Sequence, residues 1–502
     1  MANKACNEVV TVANMPMTVF DMISAMQNKY ADRVAFRYVE GKDTVVEKTY
    51  AQYVQDIRKA TGYLQQELGE PKGKKIVILS RTNYEYGAVV FGTMMAGAVI
   101  VTLNQGKTWA ELEYELGMVE PDLIFNDGID YGYRAQLEAL YGAQLRPMDA
   151  WIAAPEAEMV NRIDHEGLLM LMFTSGTTGR SKGVMLSEKN YFTACQMYID
   201  GLKSVLDYEE RLVPQYLDQT FSHFTLVPMF HLAGFICYFV YGVQGWTLNL
   251  CCDARDLRRD MSLMHSDAIA VAPMLMEAIY KDVKRGRRAR LNGIWNPCGS
   301  SAMFDGAMLA ELAQQGMMIT QVYGMTETCG DGIINYEQDE KHIRAVGKPD
   351  DHAEYKLDET GEICIRGGCV MLGYYKDPEA TAEVLDADGW FHTGDLARVD
   401  EDGFYYITGR KKNIIILDNG ENVSPEELEN LLSKCEAVKE CIVREKGKKI
   451  CAVIYCSEAD QQTVRDFITE TNRTLPLYKR MSAVEFSTEP LPRTGTGKLL
   501  RK

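Results

Sequence analysis

From residue 49 to residue 127 the chain alternates between helical periodicity and short apolar runs. TYAQYVQDIRKATGYLQQEL (49–68) spaces its apolar residues as a helix does, KKIVILS (74–80) is an apolar run of strand length, and 83–95 returns to helix. AVIVTLN (98–104), a helix at 109–118 and DLIFND (122–127) repeat the cycle. Strands that are apolar on both faces, separated by helices, imply a mostly parallel sheet covered on each side. IAVAP (269–273) and MITQVY (318–323) add two buried strands to the same pattern. At 502 residues the chain exceeds one compact core, so two or three domains are expected.

Near Gly361 the texture changes. GEICIRG, GWFHTGDLARVD and GFYYITGR are short alternating strands with Gly and Asp turns, the pattern of an antiparallel β unit. After Arg410 come a strand in NIIIL and a helix in SPEELENLLSKC, with Ser424 as cap, Pro425 at its first position and Glu427 at the capping-box position. Two further strands (CIVREK, KICAVIYC) and a helix at 461–471 complete a unit of about 90 residues, large enough to fold alone. The expected class is therefore α/β. A large N-terminal domain (1–409) of mostly parallel sheets flanked by helices carries a β-rich part at about 355–409. Residues 410–412 connect it to a small α+β C-terminal domain (413–502).

The formal net charge of −17 argues against non-specific nucleic-acid binding, which needs Lys and Arg against phosphates. The 13 cysteines form no C-x-x-C pair and no zinc-ligand spacing, and free thiols suit a reducing compartment. MANKACNEVV lacks the apolar core of a signal peptide, so a cytoplasmic location is expected. Two apolar stretches, 87–103 and 224–252, approach the length of a membrane span, but Gly92 and Gly97 interrupt the first, and Pro228, Gly234, Gly242 and Gly245 the second. Strand, buried helix and strand inside an α/β core is the expected reading of the longer one, with no transmembrane segment.

The stretch LLMLMFTSGTTGRSKGVMLS (168–187) places a run of glycine, serine and threonine between two apolar strands. Ordering such residues is entropically costly, so the segment is either a slack connector or a loop whose amides and hydroxyls hold a ligand. It is not a Walker A loop, because Arg180 and Ser181 separate Gly179 from Lys182, and TGTGKLL near the C-terminus fails the same pattern. Glycines that allow close backbone approach, hydroxyl donors and the Lys182 ammonium still suit a polyphosphate.

TSGTTGRSKG (174–183), VYGMTE (322–327), GWFHTGD (389–395), GRKKN (409–413) and PRTGTGK (492–498), in that order, resemble the motifs of the adenylate-forming superfamily. Its members include acyl-CoA synthetases, firefly luciferase and peptide-synthetase adenylation domains. The resemblance runs from the first helices to Lys498. It implies ATP-dependent formation of an acyl-adenylate from a carboxylic acid, then transfer to a thiol, with ATP, Mg²⁺ and coenzyme A as cofactor and cosubstrates. An anion must meet a polyanion in the first step, and each like-charge pair near 4 Å costs roughly 4 kcal/mol at an effective dielectric of 20.

The resemblance assigns roles residue by residue. Lys498 supplies the cation between carboxylate and α-phosphate; taken alone it would be a solvated tail residue. Glu327 holds Mg²⁺, where the plain alternative is a helix-start glutamate. Thr174, Ser175, Gly176, Thr177, Thr178, Gly179 and Lys182 cradle the phosphates, and Thr326 donates to them. Tyr323 stacks on adenine beside Gly324, and Gly299, Ser300 and Ser301 lie along the adenine edge. Asp395 and Arg410 take the ribose, although an Asp after Gly is more often a turn residue. Lys412 marks a hinge about which the small domain of relatives rotates, and Gly420 lies at the pantetheine tunnel; a charged hairpin would suit Lys411 and Lys412 equally.

His231, in PMFHLAG, is expected at the carboxylate site as a gate, with a satisfied core histidine as the equal alternative. Phe230-His231-Leu232-Ala233 offers no anion for a substrate ammonium, which favours an acid without an α-amine. Phe235, Met274, Cys298, Met325 and Cys329 are the candidate walls of an apolar acyl pocket. The basic run KDVKRGRRARLNG (281–293) is expected to be a solvated face, with coenzyme A phosphates or an acidic carrier protein as the alternative contact. These residues together imply an acyl-CoA synthetase for a fatty or other apolar acid. A stand-alone ligase loading an acyl carrier protein, and a non-catalytic binding relative, are the rivals.

Overall fold

The computed structural model describes residues 10–174, 180–208, 221–300, 304–330, 332–417, 422–447, 449–493 and 499–500. They divide into two compact units: Met1–Glu354 with Ile365–Phe391, and Tyr355–Cys364 with His392–Lys502.

The first unit is built on two mainly parallel sheets. One runs, in spatial order, Gly373–Tyr374, Lys182–Leu186, Met170–Thr174, Val99–Thr102, Lys75–Leu79, Leu123–Asn126 and Leu145–Pro147. Its four central neighbours pair in parallel, as the alternating helices require, and the hairpin of Met170–Thr174 with Lys182–Leu186 adds an antiparallel flank. The second sheet runs Lys348–Pro349, Gly332–Asn335, Thr320–Gly324, Asn296–Ser300, Ala268–Val271, Ser222–Thr225, Thr247–Leu250, Val34–Glu40 and Thr44–Thr49. Helices Tyr50–Leu68, Tyr84–Met95 and Leu232–Gln244 share one core, in which Tyr53, Phe91, Tyr191, Phe235 and Phe239 are buried.

Local chemistry sets the helix starts. Thr49 closes a capping box with Gln52, Asn83 accepts from the Tyr86 amide, and Pro273 opens the helix Pro273–Lys284. That proline also ends the strand expected at 269–273 at Val271. The apolar stretch 224–252 resolves into strand Ser222–Thr225, helix Leu232–Gln244 and strand Thr247–Leu250. No helix among the described residues is long and apolar enough to cross a membrane.

The second unit takes most of a four-stranded sheet ordered Ala353–Leu357, Glu362–Gly367, Phe391–Val399 and Tyr405–Arg410. Of the β-rich part that the sequence attaches to the large domain, Tyr355–Cys364 and the residues from His392 on group with the C-terminal residues, and Ile365–Phe391 stay with the first unit. Four of its strands form a sheet of their own, while Gly373–Tyr374 extends the first parallel sheet. A three-stranded sheet (Glu440–Lys446, Lys449–Tyr455, Ala483–Ser487) packs with helices Pro425–Leu432 and Gln461–Thr474 around Leu428, Leu432, Ile450, Ile454, Val464 and Ile468. The strand in NIIIL is short, Ile415–Ile416, because it pairs only with Asn422–Val423. Ser424 caps the following helix as expected, accepting from the Glu427 amide, while the Glu427 carboxylate turns to Lys479 Nζ at 2.7 Å.

Candidate active site

In the first unit, two motifs far apart in sequence meet on one tyrosine. The segment after Arg366 returns to the first sheet and lays Gly373–Tyr374 against Met185 and Val184. Tyr374 thereby lies beside the hairpin in which Thr174 and Lys182 are paired. Lys182 Nζ sits 4.6 Å from the centre of the Tyr374 ring, a cation–π contact. On its other side the Tyr374 hydroxyl donates to Glu327 Oε1 at 2.9 Å. Burial and the Glu327 carboxylate push the phenol pKa up, so Tyr374 stays a donor. The Met371 amide donates to the Glu327 carbonyl at 2.8 Å, and Asn190 Nδ2 donates to the carbonyls of Gly368 and Val370. Backbone and side chain of Glu327 are both held by the same segment.

The VYGMTE motif begins on strand Thr320–Gly324 and ends in the 3₁₀ turn Thr326–Thr328. Tyr323, Met325 and Thr326 are half-buried and Gly324 is exposed. The neighbouring strand can approach because Gly332 carries no side chain: a Cβ there would lie 2.0 Å from the Tyr323 carbonyl oxygen. Gly299 is buried on strand Asn296–Ser300, which pairs with both Ala268–Val271 and Thr320–Gly324.

His231 is exposed at the N-cap of helix Leu232–Gln244, where Nδ1 accepts from the Ala233 amide at 3.4 Å. It is not the buried core histidine of the plain alternative. Among the candidate pocket residues, Phe235 is fully buried, in tilted ring contacts with Tyr191 and Phe239, and Cys329 is buried with a left-handed φ of 55°. Cys298 and Met325 are half-buried. Met274 is 84 % exposed and so lines no closed cavity of this unit, because Pro273 starts its helix and turns the next side chain outward. The basic run carries its own acids: Lys281 pairs with Glu277, Lys284 with Glu311 and Arg290 with Asp282.

In the second unit, Asp395 and Arg410 stand opposite one another on paired strands. Arg410 Nε lies 2.6 Å from Asp395 Oδ1, and a terminal nitrogen donates to Oδ2 at 3.4 Å. Asp395 is buried, so the guanidinium fork supplies the countercharge its carboxylate needs. Gly394, before it in strand Phe391–Val399, takes a φ of +74°, and its amide donates to Glu362 Oε1 at 2.7 Å. Lys412 is exposed in the 3₁₀ turn Lys411–Asn413 immediately after Arg410. Asp358, Glu362, Cys364 and His392 present ligand-type atoms within 4.8 Å of one another, but Lys411 Nζ already lies 2.7 Å from Glu362 and 3.5 Å from Asp358. One ammonium thus already bridges its two carboxylates.

Ser175, Gly176, Thr177, Thr178, Gly179, Ser301, Gly420 and Lys498 lie outside the described residues. Tyr374 is the site residue that sequence reasoning missed. GYYKDPE contains no motif, and its role shows only once strand pairing carries it to Lys182.

Glu327 suits a hard cation. Magnesium characteristically takes one or two carboxylates together with substrate phosphates, and the oriented Glu327 carboxylate is such a partial set.

The AMP-binding enzyme family matches residues 24–375, and the AMP-binding enzyme C-terminal domain matches 427–498. The chain belongs to this family, the adenylate-forming superfamily. A long-chain-fatty-acid–CoA ligase of Salmonella typhimurium is 25% identical, with 97% of this chain and 93% of the relative covered. A feruloyl-CoA synthase of an Amycolatopsis species is 29% identical over 90% of this chain and 92% of its own length. The structure of O-succinylbenzoate coenzyme A synthetase from Bacillus subtilis, in complex with ATP and magnesium ion, superposes with a TM-score of 0.78. It is 24% identical, with 96% of this chain and 98% of that chain covered. The fold class expected from the sequence is that of this neighbour.

Proposed function

We propose that this chain activates an apolar carboxylic acid as its acyl-adenylate and transfers the acyl group to coenzyme A. Its class is that of the AMP-forming acid–thiol ligases, which use ATP, Mg²⁺ and coenzyme A. The observation that carries the reading is the meeting of Lys182 and Glu327 on the two sides of Tyr374. A cation from the glycine-rich motif and a carboxylate from VYGMTE are then available to one nucleotide.

In the first step a carboxylate oxygen attacks the α-phosphorus and the bond to pyrophosphate breaks, its electron pair leaving with pyrophosphate. Lys182 lowers the cost of gathering phosphate charge, and Glu327 would hold the magnesium ion, which as a Lewis acid screens phosphate oxygens when bound. Lys498, as the bridging ammonium, offsets the repulsion between acid and α-phosphate. Asp395, oriented by Arg410, accepts from the ribose hydroxyls. In the second step the thiol sulfur attacks the acyl carbon as its proton passes to water, and the carbon–oxygen bond to the phosphate breaks, its electron pair leaving with AMP. Lys412 is the hinge that the family resemblance implies, with the residues after it turning between steps.

The acid is fatty or otherwise apolar. No anion follows Phe230 to pair with a substrate ammonium, and the named relatives include a long-chain-fatty-acid–CoA ligase and a feruloyl-CoA synthase, beside a structural neighbour that is an O-succinylbenzoate coenzyme A synthetase. The cysteines of the described residues are free thiols, which fits a reducing, cytoplasmic setting.

A panel of carboxylates in a pyrophosphate-release assay, with and without coenzyme A or an acyl carrier protein, tests the reading. Apolar aliphatic or aromatic acids are expected to give AMP and pyrophosphate, and a thioester only with coenzyme A. Turnover of amino acids alone, or of no acid, would overturn it.

A further inference from the structure

Strand Val99–Thr102 runs parallel to Met170–Thr174, with Thr102 beside Met172. The connection after Thr102 and the glycine-rich loop after Thr174 therefore leave the sheet at the same edge. Helix Trp109–Val119 follows that connection, and Leu112, Leu116 and Val119 bury its inner face. Glu115, on the same helix, has no exposed surface. A carboxylate there is costly unless paired. Lys107 Nζ is hydrogen-bonded to Glu115 Oε1, and the Lys107 side chain is itself only 12 % exposed.

An ion pair this deep is weak support for stability, since apolar residues of similar volume commonly serve as well or better. Its remaining valence is directed at the loop. Lys107 Nζ lies 3.4 Å from the Ser181 hydroxyl, one residue before Lys182. Burial pushes the Glu115 carboxyl up, while Lys107 and the Ser181 hydroxyl favour its charged form. The preceding helix residue, Tyr114, takes the Arg180 guanidinium over its ring at 5.4 Å. Two consecutive helix residues thus hold, one directly and one through Lys107, two consecutive residues of the loop's returning arm.

We infer that Glu115 and Lys107 are positioning residues for ATP: their buried pair fixes Ser181 and with it the placement of Lys182. Holding Ser181 beforehand removes part of the cost of ordering Lys182 against phosphates. The inference rests on the ATP reading above. It adds that the placement of Ser181 and Lys182 is set from a neighbouring helix by a charged pair, which apolar packing could replace for stability but not for function.

The test compares Glu115→Gln, Ser181→Ala and the double variant Lys107→Met/Glu115→Leu with wild type. Each is measured for ATP dissociation constant by calorimetry without acid, KM for ATP, KM for the acid, and denaturant unfolding by tryptophan fluorescence. The double variant should unfold near the wild-type midpoint yet bind ATP on the order of ten-fold more weakly, with KM for the acid unchanged. Ser181→Ala should reproduce that loss, and adding it to the double variant should cost nothing further. Wild-type ATP affinity in a stable double variant, or in Ser181→Ala, would overturn the inference; so would an equal rise in KM for ATP and acid. Should the double variant not fold, Ser181→Ala decides alone. A wild-type chain that binds ATP but turns over no acid would sink the functional reading and leave this one standing.

Discussion

Replacing Tyr374 by phenylalanine removes one atom from the site. The hydroxyl is buried, and its one hydrogen bond in the structure goes to Glu327 Oε1 at 2.9 Å. A hydrogen bond to a charged group contributes about 1.5–3 kcal/mol, and every 1.4 kcal/mol is about ten-fold. If the whole of it serves to orient the carboxylate, kcat/KM falls by about ten-fold to about 150-fold. The loss should be largest at low free Mg²⁺ and partly recovered at high Mg²⁺, because a loosened carboxylate still binds the ion with lower affinity. The ring remains under Lys182, so KM for ATP should move little in Tyr374→Phe. Tyr374→Leu removes the ring as well and should raise KM for ATP in addition. Steady-state pyrophosphate release, titrated separately in ATP and in Mg²⁺, reads both effects. A phenylalanine variant with wild-type Mg²⁺ dependence, or two variants that cannot be told apart, would refute the assignment of Tyr374 as the link between the motifs.

Two further outcomes follow from the same geometry and chemistry. His223 is buried on strand Ser222–Thr225 with Nδ1 bonded to the Tyr241 hydroxyl and Nε2 without a partner, and burial lowers its pKa from 6.5 to about 3. Below about pH 6.5 the unfolded chain takes up a proton that the folded one refuses, so stability falls with pH. The loss approaches about 1.4 kcal/mol per pH unit, about 2 kcal/mol between pH 6.5 and 4.5. All five tryptophans (Trp109, Trp151, Trp246, Trp295, Trp390) belong to the first unit, so tryptophan-monitored urea unfolding reads it directly. His223→Gln should flatten that slope by the contribution of one proton, and an unchanged slope would assign the pH dependence elsewhere. Lys498→Ala should abolish acid-dependent pyrophosphate exchange while leaving thioester formation from supplied acyl-adenylate largely intact; equal loss of both would contradict the bridging role.

Periodicity made the large unit legible. The helices at Tyr50–Leu68, Tyr84–Met95 and Trp109–Val119 and the strands between them fall where apolar spacing and caps place them, because caps and periodicity are local. What local pattern could not reveal was pairing between distant segments. Gly373–Tyr374 is two residues long and carries no periodicity, yet its register against Val184 and Met185 makes the site. Met274 shows the converse error. An apolar residue after a proline was read as pocket wall, but the helix start directs it to solvent. The β-rich part divides between the two units, a split that motif order alone does not reveal, because it depends on which distant strands pair. His231 could be read both as gate and as core, since an apolar run does not say which residue caps its helix; the N-cap position puts it at the surface.

The central claim is that an oxygen of the acid becomes bonded to the α-phosphorus of ATP. Turnover of a carboxylate labelled with ¹⁸O in both oxygens, followed by mass spectrometry of the nucleotide and phosphate products, tests it without any variant. One ¹⁸O should appear in AMP, and pyrophosphate should carry none. Label in inorganic phosphate accompanied by ADP would show an acyl-phosphate route, and unlabelled AMP would show hydrolysis of ATP uncoupled from the acid. Either would contradict adenylation as the chemistry of this chain.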